Sequence, residues 1–82
     1  MKNTQKIEVI SICQCLKMET DRLYGLIKCH PEMLSEPGIF NLAHGLYTAT
    51  SCAAQTAKVL NADDISDLLI ASCDKLVKIA DI

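Results

Sequence analysis

The fold is decided by residues 37–60, PGIFNLAHGLYTATSCAAQTAKVL. Apolar and small side chains recur along this segment at alternating steps of three and four residues, which places them on one face of an α-helix. The middle of the face is built from small residues, which allow another helix to approach closely. The sequence therefore predicts a seam through which this helix packs against either a helix of the same chain or one of a second subunit. The seam residues are Ile39, Leu42, Leu46, Ala49, Ala53, Thr56 and Leu60.

A linker precedes this helix at residues 31–38, PEMLSEPG. Pro31 ends the helix before it, and the two prolines make the segment stiff. Because Pro37 pushes the preceding residue away from helical geometry, we expect Ser35 or Glu36 to cap the second helix and Pro37 to lie in its first turn.

Helical periodicity also continues on both sides of the central helix. The predicted core face of the first helix comprises Val9, Cys13, Leu16, Thr20, Leu23 and Ile27. That of the third helix comprises Ile65, Leu69, Ser72, Leu76 and Ile79, supported by Leu68, Cys73 and Ala80. We expect Asn61 to end the second helix in a left-handed conformation, and Asn61 or Asp63 to cap the third.

These elements predict an all-α fold with one domain over residues 1–82. The helices are expected at about residues 4–29, 37–60 and 63–80, where the apolar periodicity begins and ends. They form either a small three-helix bundle or a helical hairpin whose N-terminal helix dimerises.

Charge and hydropathy exclude several classes of function. The 82 residues carry a formal net charge of −2. The basic residues are interrupted by Glu8, Glu19 and Asp21 and do not form the stripe that nucleic-acid binding requires. No apolar run approaches the length of a membrane span, and Glu8 and Gln14 interrupt the apolar stretch that a signal peptide needs. We therefore expect a cytoplasmic protein that binds neither nucleic acid nor a membrane.

Five cysteines and two histidines are the candidates for chemistry. An odd number of cysteines in a helical chain indicates reduced, mostly buried thiols instead of a disulfide framework. Cys13 and Cys15 point in different directions from a helix, while Cys29 and His30 lack further ligands at the paired spacings of zinc sites. His44 has no nucleophile and orienting carboxylate at matching positions. The sequence therefore predicts no metal, no cofactor and no enzymatic activity.

The segment HPEMLSEPGIFNLAHGLYTATSCAAQTAKVL, followed by DLLIASCDKLVKIA, resembles a family of short gammaproteobacterial proteins of unknown function. The resemblance rests on a proline-containing stretch, an H-x-L-like helix, the alanine-rich S-C-A-A-x-T-A stretch and a final leucine-rich helix. It covers residues 31–80 and leaves the first helix unmatched. It implies a bacterial cytosolic origin and a helical hairpin core, and it carries no catalytic residues.

Two hypotheses for function follow from these observations. The first is a small regulatory, adaptor or inhibitor protein, of phage or mobile-element origin in one version, which binds another protein through a helix face and forms a homodimer. The second is a binder or sensor of small molecules with a pocket between the helices, lined by Tyr24, His44 and Tyr47. Gly25 and Gly45 adjoin these tyrosines. They would either make room for a ligand or allow another helix to pack closely, which is the commoner reason for glycine in a helix.

Overall fold

The computed structural model describes all residues from 1 to 82 and contains three α-helices and no strand. Helix α1 spans Asn3–Cys29, α2 spans Pro37–Val59 and α3 spans Asp63–Ala80. They form an elongated bundle of about 44 × 18 × 17 Å. The prediction of an all-α three-helix bundle is confirmed, with helix ends within one residue of the predicted ones.

The linker between α1 and α2 is more ordered than an extended segment, because Pro31–Ser35 forms a short 3-10 helix. As predicted, Glu36 is extended, with φ −83° and ψ 119°, and Pro37 is the first residue of α2. Glu36 makes no hydrogen bond through its side chain. The fixed φ of Pro37 and its missing N–H suit this position, so the proline itself starts the helix.

The turn between α2 and α3 is made by Asn61, which adopts the predicted left-handed conformation with φ 62°. The predicted cap of α3 is wrong, because Ala62 precedes the helix and Asp63 is already its first helical residue. Asp63 and Asp64 therefore stabilise α3 through the helix dipole, as negative charges in its first turn.

The core consists of two apolar clusters. One contains Cys13, Ala53, Ala54, Ala57 and Leu69, and the other contains Leu23, Ile27, Ala43, Leu76 and Ala80. Between them along the helices lie Thr20, Thr50 and Ser72, one from each helix, which are 1% exposed or less. We call these three residues the polar layer.

The core faces predicted for α1 and α3 are largely confirmed. All six predicted residues of α1 are buried or half-buried. The same holds for seven of the eight predicted residues of α3, including Cys73 and Ala80. Leu68 is the exception, since 52% of its surface is exposed.

Charged residues join α1 to α3. Asp21 accepts a hydrogen bond from Lys17 at 2.6 Å, and Lys75 of α3 lies 3.4 Å from the same carboxylate. Burial by itself would raise the pKa of Asp21, but hydrogen bonds from Lys17 and Ser72 and the charges of Lys17 and Lys75 bring that pKa below its usual value. These charges therefore add a polar contact between α1 and α3 beside the apolar core.

Candidate interaction surface

The predicted seam of α2 is divided by the structure. Ala53 is buried, Ile39, Leu46, Ala49 and Leu60 are half-buried, and Leu42 and Thr56 are exposed. The most deeply buried residues of the helix include Ala43, Thr50 and Ala57, and each directly follows one of the predicted seam residues. The seam therefore follows the edge of the buried face and not its centre.

The prediction was displaced because α2 carries small or apolar residues in two neighbouring series around the helix. Leu42 and Ala43 are neighbours, as are Ala49 and Thr50, so either series gives a regular spacing of three and four residues. The positions of α1 and α3 decide which of the two series is buried. The spacing of residues on α2 alone does not reveal those positions.

The exposed edge of α2 borders a groove along α1, which we call the α1–α2 groove. It has a volume of about 390 Å³. Leu42 of α2 and Leu26 of α1 line it and are 50% and 45% exposed, while Leu23 beneath them is buried. The complete lining is Glu19, Arg22, Leu23, Leu26, Leu42 and Leu46.

A single ion pair flanks this apolar lining. Arg22 Nη1 donates a hydrogen bond to Glu19 Oε1 at 2.9 Å, and both side chains are more than half exposed. Exposed pairs of this kind contribute roughly 0–1 kcal/mol to stability. Both charges are therefore free to exchange partners at little energetic cost.

Among the groove residues, the spacing on α2 indicated Leu42 and Leu46. Nothing in the predicted interface indicated Glu19, Arg22 and Leu26. The sequence does contain a signal for them, because a second series of residues along α1 recurs at steps of three and four. The series consists of Ile12, Cys15, Glu19, Arg22, Leu26 and Cys29. The two charges at its centre make this series less conspicuous than the neighbouring core face.

The residues of the predicted small-molecule pocket do not come together. Tyr24 lies in the cleft between α1 and α3, where Lys75 Nζ is 5.3 Å from its ring centre. Tyr47 lines a separate cleft between α2 and α3 with Ser51 and Cys73. His44 is exposed. These three side chains therefore form no common binding site.

Close helix packing does not explain the two glycines beside these tyrosines. A methyl group at Gly25 or at Gly45 would have no neighbouring heavy atom within 4 Å. Neither glycine is required by its surroundings.

The five cysteines are all free thiols, of which Cys13 and Cys73 are buried and Cys15, Cys29 and Cys52 are exposed. The prediction that most are buried is therefore wrong. Burial raises the pKa of Cys13, and burial together with the charge of Asp74 raises the pKa of Cys73. The buried thiols are accordingly weak nucleophiles at neutral pH.

Other chemical groups are dispersed over the bundle. No group of three or more His, Cys, Asp or Glu side chains is arranged to hold a metal ion. None of the helices combines the length and the apolar character needed to cross a membrane.

Comparison with known proteins gives no match to a protein-family model, a curated protein or a solved structure. The resemblance of residues 31–80 to the gammaproteobacterial family stays a prediction.

Proposed function

We propose that this protein is a small non-enzymatic interaction protein, a regulator, adaptor or inhibitor, that binds a helix of a partner protein in the α1–α2 groove. The observation that carries this proposal is the pair of half-exposed leucines, Leu26 and Leu42, on two different helices of one groove. Covering such side chains stabilises a complex by about 25 cal/mol per Å² of apolar surface removed from water.

The chemistry of the groove specifies the kind of partner. A shallow apolar channel between two helices accepts the apolar face of an amphipathic helix, with side chains at positions i, i+3 or i+4, and i+7. Glu19 and Arg22 at its edge favour a helix that carries one basic and one acidic residue beside that face.

Two further features support the proposal. The groove supplies four leucines and a mutually paired acid and base, and no serine, cysteine or histidine that could act as a nucleophile or proton carrier. Three exposed free thiols favour a reducing compartment, which is consistent with a bacterial cytoplasm.

The test compares Leu42→Lys with Leu68→Lys. Both wild-type leucines are about half exposed, at 50% and 52%, but only Leu42 lines the groove. Each tagged variant is incubated with an extract of the source organism that also contains untagged copies of the chain. The retained proteins are then quantified.

We expect Leu42→Lys to reduce capture at least about tenfold, because a charge in the groove must lose water when a partner covers it. Leu68→Lys should bind as the wild type does, and circular dichroism should give equal helix content for both. Equal capture by both variants would reject the α1–α2 groove as the binding surface.

A further inference from the structure

We propose that the helix bound in the α1–α2 groove is α1 of a second copy of this chain, and that the two α1 helices pair antiparallel. This inference rests on the proposed function and names its partner. It is carried by the series Ile12, Cys15, Glu19, Arg22, Leu26 and Cys29, which we call the α1 stripe.

All six residues of the α1 stripe are exposed. Their steps of three, four, three, four and three residues give the a and d positions of a coiled coil. The stripe spans 18 residues, or about 26 Å of helix. It adjoins the groove, because Glu19, Arg22 and Leu26 belong to both.

The stripe is complementary to itself when the second helix runs in the opposite direction. A two-fold axis between residues 20 and 21 brings together residues whose numbers add up to 41. Glu19 of each copy then meets Arg22 of the other. The outer contacts pair Cys15 with Leu26 and Ile12 with Cys29, so that apolar groups meet apolar groups and each acid meets a base.

Other arrangements of the same stripe are less favourable. Sliding one helix by a heptad brings Arg22 against Ile12 or Leu26, and Glu19 against a cysteine. A parallel pair in register brings Glu19 against Glu19 and Arg22 against Arg22, which is repulsive. The two charges therefore select both the antiparallel direction and one register.

The intramolecular ion pair does not oppose this association. Glu19 and Arg22 are bonded to each other at 2.9 Å within one chain. In the dimer the four charges form one network, in which each group keeps a neighbour of opposite sign. At the same time Ile12, which is 62% exposed in the single chain, becomes covered.

Charge reversal tests the pairing, with the mass in solution measured by light scattering over a hundredfold range of concentration. The wild type should dimerise, whereas Glu19→Arg and Arg22→Glu should each raise the dissociation constant at least about tenfold, because each variant places like charges together. Mixing the two variants should restore a dimer that contains one copy of each. The double variant E19R/R22E should form homodimers again.

Lys58→Glu is the matched control, since Lys58 is an exposed charge in the cleft between α2 and α3. It should leave the dissociation constant unchanged. The proposal would be overturned if charge reversal at positions 19 and 22 left the dissociation constant unchanged. It would also be overturned if reversal at Lys58 weakened the dimer equally.

Cross-linking tests the direction of the helices. In a Cys29→Ser, Cys52→Ser background, an added mild oxidant should convert Leu26→Cys to a covalent dimer. The disulfide joins the introduced thiol of one copy to Cys15 of the other. Within one chain these positions are 11 residues apart, about 16 Å along the helix, and cannot be bridged. A parallel dimer would instead link like positions, which peptide mapping would reveal and which would overturn the inference.

The two proposals fail in distinguishable ways. A wild type that is monomeric at every concentration overturns self-association. Groove-dependent capture of a different protein, lost in Leu42→Lys and kept in Leu68→Lys, would then still stand.

Discussion

Thr20 Oγ1 of α1 and Thr50 Oγ1 of α2 lie 2.7 Å apart in the middle of the bundle, and both residues are completely buried. Their hydrogen bond crosses between two helices in a region where water has no access. Sliding either helix by one turn would leave both hydroxyl groups among apolar side chains, which costs free energy for each unpaired group. The polar layer therefore fixes the register of α1 against α2.

Replacing one hydroxyl of this pair should be more harmful than replacing both. We expect Thr20→Val to reduce the free energy of unfolding by about 1–3 kcal/mol, because it leaves the Thr50 hydroxyl buried without its partner. The double variant T20V/T50V should recover to within about 1 kcal/mol of the wild type. Urea unfolding of the wild type, both single variants and the double variant measures the coupling. Additive losses would show that the two hydroxyls act independently.

Asp21 should make part of the stability dependent on pH. Its pKa in the folded chain is lowered, since hydrogen bonds and nearby lysines outweigh burial. A lowered pKa means that the stabilisation is present above the pKa of the unfolded chain, about 3.9, and is lost as the pH falls through the lower folded pKa. Asp21→Asn should therefore be less stable than the wild type at pH 7, with a difference that shrinks below about pH 4. Unfolding measured from pH 7 to pH 2 for both proteins checks this, and a difference independent of pH would contradict it.

Replacing Gly25 or Gly45 with alanine should stabilise the folded protein. Both are inside α-helices, and a methyl group there would meet no heavy atom within 4 Å. Gly25→Ala and Gly45→Ala should each raise the free energy of unfolding by about 0.5–1 kcal/mol, because alanine loses less backbone entropy in a helix than glycine does. Thermal unfolding at low protein concentration measures the gain. Destabilisation would mean that the backbone is approached closely there.

The rate at which the exposed thiols are modified should depend on dimerisation. In a single chain a maleimide should modify Cys15, Cys29 and Cys52 quickly, and Cys13 and Cys73 slowly, because the last two are buried and have raised pKa values. As concentration rises, Cys15 and Cys29 of the α1 stripe should become protected, while Cys52 should stay reactive. Mass spectrometry of the labelled peptides follows each site. Equal rates for all three exposed thiols at every concentration would argue against contact along the stripe.

The sequence contained enough information for most of the fold. Proline fixes its own φ, so Pro37 identifies the start of α2, and the tolerance of asparagine for a left-handed backbone identifies the turn at Asn61. The core face of α1 was predictable because residues such as Thr20, Leu23 and Ile27 recur at helical spacing. The charged residues Lys17, Glu19 and Arg22 fall at other positions around the helix.

The interaction surface was harder to predict because it depends on how the helices are rotated. On α2, adjacent positions such as Leu42 and Ala43 are both compatible with a core, and only the packed bundle distinguishes them. Tyr24 and Tyr47 both adjoin α3, but in different clefts, and no spacing within one helix could indicate that separation.

The polar layer also divides the molecule into two halves that need not open together. The half around Ala53, Ala54 and Ala57 buries mainly methyl groups, whereas the half around Leu23, Ile27 and Leu76 buries larger side chains. The free energy needed for local opening increases with the amount of apolar surface that each half buries. The alanine-rich half should therefore exchange its amide hydrogens at a lower free energy, and the bundle should begin to unfold from the end that contains the turn between α2 and α3.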